Sequence, residues 1–153
     1  MTNREFEPIT EAEVVAAQRA WAKYVTEKDI DSLLKLYDFG DPDKPLLFKP
    51  TLANVIRLDE KGTRSYFVGG DRDFPQDRGF LNMGWQSVEF QSAVGPLLDA
   101  GGLSYKDMGQ YTIVDATGNV TRADYTFAYH KLDGRVVISL HHSSLTWTPP
   151  DAD

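Results

Sequence analysis

Two alternating runs, Val120–Leu132 and Arg135–Thr148, meet at Asp133-Gly134. A two-residue Asp-Gly link between alternating segments marks a β-hairpin closed by a primed turn. With two residues in the loop, Leu132 opposes Arg135 and Lys131 opposes Val136. Cross-strand partners share a face. One face then carries Tyr125, Phe127, Tyr129, Ile138, Leu140, His142 and Ser144; the other carries Asp124, Thr126, Ala128, His130, Val137, Ser139, His141 and Ser143. The first face is more apolar and aromatic, so it is expected to line the interior, with His142 and Ser144 beyond Leu140 at its open end. A one-residue slip or a bulge would turn His141 and Ser143 inward instead.

Upstream, Thr10 and Glu13 form a capping box. Val14, Ala17, Trp21, Tyr24 and Val25 follow at helical spacing and predict a helix from Glu11 to about Lys28. Asp31 is expected to cap a short second helix that ends near Gly40. Thr51–Leu58 and Arg64–Gly69 flank a turn-rich link at Gly62 and predict a hairpin. Residues 71–84 predict a loop with one helical turn near Asp77–Leu81. Trp85–Val94 and Gly109–Val114 complete the strands. Helices followed by antiparallel strands argue an α+β fold. The element order resembles the NTF2-like cone, in which N-terminal helices pack on a strongly curved antiparallel sheet. That analogy speaks to fold and leaves function open.

The chain has 153 residues, the size of one domain, here with an expected ordered core of about 10–148 and frayed tails. It has no cysteine, which excludes disulfides, thiolate metal sites and thiol nucleophiles. A net charge of −7 without a basic stripe argues against nucleic acid as a partner. No apolar run approaches the ~20 residues of a membrane span. Met1–Pro8 lacks a basic segment followed by an apolar one, so a cytoplasmic location is expected.

All three histidines lie in the final hairpin. His141 and His142 are consecutive in a strand and point to opposite faces, while His130 stands more than ~10 Å along from His141. A three-histidine zinc centre cannot form within one chain. No HExxH-type spacing occurs, and the sequence favours a metal-free site, with zinc or manganese left open.

Four segments resemble the iota-class carbonic anhydrases: Leu47-Phe48-Lys49-Pro50-Thr51, Ser65-Tyr66-Phe67-Val68-Gly69-Gly70, Asp124-Tyr125-Thr126-Phe127 and Leu140-His141-His142-Ser143-Ser144. They occur in the family's order, and the resemblance runs from about residue 10 to residue 148. Thr146-Trp147 departs from the proline and aromatic common there. The resemblance implies CO2 and bicarbonate as substrate and product, and a site lined by a threonine, a tyrosine, a serine and a nearby histidine. The matching positions are Thr51, Tyr66, and one His/Ser pair from His141–Ser144. The face argument selects His142 and Ser144, leaving His141 and Ser143 at the margin.

The hydroxyls of Thr51, Tyr66 and Ser144 are expected to orient a water, since a hydroxyl both donates and accepts. His142 would take the proton. Phe48, Phe67, Trp85, Phe90, Tyr125 and Phe127 are candidates for an apolar nook around CO2, or simply core. Two rivals stay open: an isomerase or cyclase using a buried carboxylate, and a non-catalytic association module. The acidic residues fall mostly in turns, and Asp124 on the outer face, which disfavours the first. A homodimer through the outer sheet face is expected from Val137, Leu145 and Trp147.

Overall fold

The computed structural model describes residues 4–151. Helix α1 spans Glu11–Glu27 and starts with the expected capping box, Thr10 accepting from the Glu13 backbone and Glu13 accepting from that of Thr10. Its buried stripe is Val14, Ala17, Gln18, Trp21 and Val25. Lys28 ends it in the left-handed region (φ 57°). That reversal brings Asp29, not Asp31, into position to cap α2, Ile30–Leu34, by accepting from the Ser32 N–H. Helix α2 stops well short of Gly40. Leu36 and Asp38 instead hydrogen-bond through their backbones to Ile138.

The largest departure lies at residues 51–69. Strand β1 is Leu47–Lys49, and the chain then turns at Thr51. Only one antiparallel bridge follows, Phe48 with Arg57. The segment expected as the second arm of a hairpin is a helix, α3, Glu60–Val68. Asp59 caps it by accepting from Gly62 N at 2.8 Å. Gly62, Thr63, Ser65, Tyr66 and Phe67 form its buried side. A short run with Tyr, Phe and Val carries strand-like composition, but a side-chain cap and a helical burial pattern decide otherwise. A 3₁₀ turn at Phe80–Met83 closes the loop that follows, slightly later than expected.

The remaining strands are β2 (Trp85–Ser92), β3 (Leu97–Leu98), β4 (Ser104–Asp115), β5 (Val120–Leu132) and β6 (Arg135–Leu145). The sheet runs β1-β6-β5-β4-β2, with β3 on β4. It is antiparallel except for β1, which pairs parallel with β6. At the β5–β6 turn Asp133 and Gly134 both have positive φ, 51° and 78°, as the primed turn requires.

The hairpin register changes once. Leu132↔Arg135 through Tyr129↔Ile138 follow the two-residue loop, but the next pair is Ala128↔Leu140. Ser139 is therefore an extra residue, a β-bulge. Strand β6 changes neighbours here: Ile138 bonds to the Leu36–Asp38 segment, and from Leu140 onward β1 takes over. Beyond the bulge every β6 side chain faces opposite to its expected side.

Residues 4–9, expected as part of a frayed tail, lie along the hairpin. Glu7 bridges to Lys131, Phe6 packs its ring 4.4 Å from that of His130, and Arg4 pairs with Asp38. The ends of the expected tails, residues 1–3 and 152–153, lie outside the described residues. No described helix is long and apolar enough to cross a membrane.

Candidate active site

The bulge at Ser139 sorts the doubled motif. Beyond it Phe127 pairs with His141 and Tyr125 with Ser143, so these four share the inner face. His141 is 1% exposed and Ser143 0%. His142 and Ser144 point to the other side and line a cleft on the outer sheet face with Met108, Gln110 and Thr126. The expectation that His142 and Ser144 face inward is corrected; His141 and Ser143 take their places.

The His141 imidazole stands between two tyrosines. The Tyr37 hydroxyl is 2.9 Å from Nδ1 and the Tyr111 hydroxyl 3.1 Å from Nε2. Behind Tyr37, the Trp21 Nε1–H donates to its oxygen at 3.0 Å. On the other side Tyr111 donates to Ser143 Oγ at 2.5 Å, and Ser143 Oγ meets Thr51 Oγ1 at 2.5 Å. Six side chains, Trp21, Tyr37, His141, Tyr111, Ser143 and Thr51, thus form one continuous chain of hydrogen bonds. Stacked rings clamp the imidazole, Phe127 at 4.0 Å and Phe48 at 4.8 Å between centroids.

Thr51 is held where β1 gives way to a turn. The Lys49 ammonium donates to the carbonyls of Pro50 (2.8 Å) and Ser143 (3.2 Å), tying the Thr51 turn to β6. Tyr66 arrives from α3 rather than from a strand, and its hydroxyl accepts from the Leu52 backbone N–H at 3.2 Å, next to Thr51. Phe67 stacks on Phe48, and Phe80 bridges Tyr66 to Trp85. Trp85 is 2% exposed, and its Nε1–H is the one buried side-chain polar atom without a partner among the described residues.

A family model described as metal-independent carbonic anhydrase matches residues 12–145. The chain belongs to that family. A curated metal-independent carbonic anhydrase from Nostoc sp. (strain PCC 7120 / SAG 25.82 / UTEX 2576) is 38% identical, over 91% of this chain and 75% of that one. The crystal structure of the iota-carbonic anhydrase from a cyanobacterium, complexed with bicarbonate, matches with a TM-score of 0.79 at 33% identity, over 97% of this chain and 99% of that chain. A protein described as a calcium/calmodulin-dependent protein kinase II association domain, from Xanthomonas campestris, matches at TM-score 0.61 and 29% identity over 95% of both chains. An NTF-2 like protein of unknown function from Shewanella oneidensis MR-1, 14% identical, matches at 0.64 over 87% and 97% of the two chains and shows the shared fold alone.

For a metal-independent carbonic anhydrase the electrostatics of this chain matter. Burial holds the His141 pKa well below 6.5, with the neighbouring His142 adding to the shift, so the imidazole is neutral at physiological pH. Burial also raises the phenols: Tyr111 to about 12, and Tyr37 and Tyr66 well above the ordinary 10. The hydrogen bond joining Tyr111 to Ser143 and the one from Trp21 to Tyr37 oppose that rise without cancelling it. The site at neutral pH therefore holds uncharged hydroxyls around an uncharged imidazole. Among the described residues no three His, Asp or Glu side chains converge as metal ligands.

Of the cluster that the structure brings together, the sequence pointed to Thr51, Tyr66 and the His/Ser doublet but not to Tyr37, Tyr111 or Trp21. A usable signal existed. A buried imidazole has two nitrogens to satisfy, and buried tyrosines seek partners for their hydroxyls. Nor did the sequence point to Asp107, which lies inside the cone. Asp107 accepts from Gln18 Nε2 at 2.7 Å, from the Tyr125 hydroxyl at 2.9 Å and from Ser92. Tyr125, expected in the substrate nook, is committed to this second cluster.

Proposed function

We propose that this chain catalyses the reversible hydration of CO2 to bicarbonate at the Thr51 end of the hydroxyl chain, with Tyr66, Ser143 and Tyr111 around it and Phe48, Phe67 and Phe127 closing the apolar side. The observation that carries this reading is the continuous contact from His141 through Tyr111 and Ser143 to Thr51. In the hydration step a water oxygen bonds to the carbon of CO2, one C=O electron pair moves onto its oxygen, and a water proton leaves to solvent. The hydroxyls place the water against the carbon, which lowers the entropic part of the barrier. They also donate to the oxygen on which charge develops. The Trp85 N–H, on the far side of the Phe80 ring from Tyr66 and without a partner among the described residues, is a further donor for a bound water or carbonate oxygen.

The proton acceptor expected from the sequence, His142, is exposed on the outer face and takes no part. His141, which replaces it inside, is kept neutral by burial and acts as a link in the chain rather than as a base with its pKa near neutrality. The isomerase-type alternative needs a carboxylate free to take a proton from carbon. Asp107 is inside the cone, but it is already engaged by three donors.

The deciding measurement is CO2 hydration by stopped flow on the wild type and on Thr51→Val. Activity that Thr51→Val removes supports the reading; a wild type without activity ends it. A homodimer across the outer sheet face belongs to the same reading. Met108 and Trp147 are exposed, but Leu145 moves off that face with the changed register and Val137 is buried. Light scattering after size exclusion gives the mass: a dimer supports this arrangement, and large rings support an association module.

A further inference from the structure

Every group between Tyr37 and Thr51 can donate or accept, so their hydrogens could run along the chain in either direction. Trp21 cannot reverse, because an indole N–H only donates. It donates to the Tyr37 oxygen. The Tyr37 ring is buried, and the remaining partner for its own hydrogen is His141 Nδ1, 2.9 Å away. Nδ1 is then an acceptor. A neutral imidazole with Nδ1 bare carries its proton on Nε2, which faces the Tyr111 oxygen. The Tyr111 hydrogen must then go elsewhere, and the Tyr111–Ser143 contact has the geometry of a bond donated by Tyr111. Ser143 passes its hydrogen to Thr51, and the Thr51 hydrogen is the last of the series. The reverse order would aim the Tyr37 hydrogen at the indole N–H and bury it without a partner.

We propose that Trp21 is a positioning residue which, through Tyr37, fixes His141 as the Nε2–H tautomer and so ends the chain in an outward hydroxyl hydrogen at Thr51. A chain ending in a hydrogen suits a ligand that offers an oxygen lone pair. Carbonate oxygens, on which charge accumulates as CO2 is hydrated, do so better than CO2 itself. The chemistry of the ligand rests on the carbonic anhydrase reading; the tautomer does not.

The test is nitrogen-15 NMR of the full chain labelled at histidine, with His141 assigned by comparison with His130→Gln and His142→Gln. The expected result is a neutral His141 with bare Nδ1 and protonated Nε2. Trp21→Phe keeps an aromatic ring in the core and frees the Tyr37 hydroxyl to turn. It should admix the Nδ1–H form and lower kcat about fivefold, the factor of a single neutral hydrogen bond, with KM little changed. Tyr37→Phe removes the Nδ1 donor outright and serves if Trp21→Phe does not fold; with nothing left to hold Nδ1 bare, the preference for Nε2–H should weaken. A wild-type His141 protonated at Nδ1, or variants that leave the tautomer untouched, would overturn the proposal. An inactive wild type with the expected tautomer would instead sink the functional reading and leave the direction of the chain standing.

Discussion

Tyr111 of β4 and Ser143 of β6 are hydrogen-bonded although β5 lies between their strands. The residue beneath that contact is Ala123, which pairs with Tyr111 on one side and Leu145 on the other and is fully buried. A small side chain in the middle strand lets the tyrosine lean across it. Ala123→Leu should therefore separate Tyr111 from Ser143 and overpack the core, at a cost of about 1–3 kcal/mol. Thermal unfolding checks the stability, and CO2 hydration by the folded fraction should fall sharply.

Ser143→Ala should lower kcat by about 10²-fold, the order seen when one preorganised donor is removed. Ser144→Ala and His142→Ala, on the outer face, should leave it within about twofold. Stopped-flow hydration assays of the three variants side by side check both the face assignment and the bulge. A larger loss at Ser144 than at Ser143 would contradict the register.

The final hairpin shows how far sequence reasoning reached. Its turn, its strands and its aromatic face were legible because Asp133-Gly134 and strict alternation are local signals. The inward choice between His141 and His142 was not, because Ser139 bulges where β6 exchanges the Tyr37 segment for β1, and neither neighbour is visible in the hairpin's own residues. The same holds for Tyr66. Its place beside Thr51 follows from the family motifs, but its helix depends on a cap at Asp59 that a turn-like Asp-Glu-Lys-Gly string conceals.

That cap is testable. Asp59→Ala removes the acceptor for Gly62 N and should cost about 1 kcal/mol, or roughly 2–4 °C in Tm. Because α3 carries Tyr66, kcat should fall as well; Thr10→Ala, which frays the end of α1 remote from Trp21, should reduce Tm with a smaller effect on kcat.

Acid should weaken the fold before any carboxylate titrates. The folded-state pKa of His141 lies well below its ordinary 6.5, because burial disfavours the imidazolium. The unfolded chain therefore binds a proton first as pH falls. Stability from this group is intact above pH 6.5 and is lost as pH drops from there toward the folded value. His130 shifts the same way, burial outweighing the opposing pull of Asp38. Tm measured from pH 8 to pH 5 should begin to decline below about pH 6.5. His141→Phe should flatten the slope. In the wild type, kcat should show no limb near pH 6.5 from His141.

Exhaustive dialysis against a strong chelator should leave hydration unchanged in this member of the metal-independent family. Loss of activity with recovery on adding zinc or manganese would show that ions are needed after all.

The doubled histidine and serine have a consequence for how this site tolerates error. Straightening β6 at Ser139 would offer His142 and Ser144 to the interior, an identical pair of side chains one step along the backbone. Excising Ser139 would keep the present pair in place, since Tyr129↔Ile138 and Ala128↔Leu140 would then simply be consecutive. Either change of frame delivers one imidazole and one alcohol. What straightening alters is their reach toward Tyr111 and Thr51, so the ingredients of the site are insured against slippage while its wiring is not.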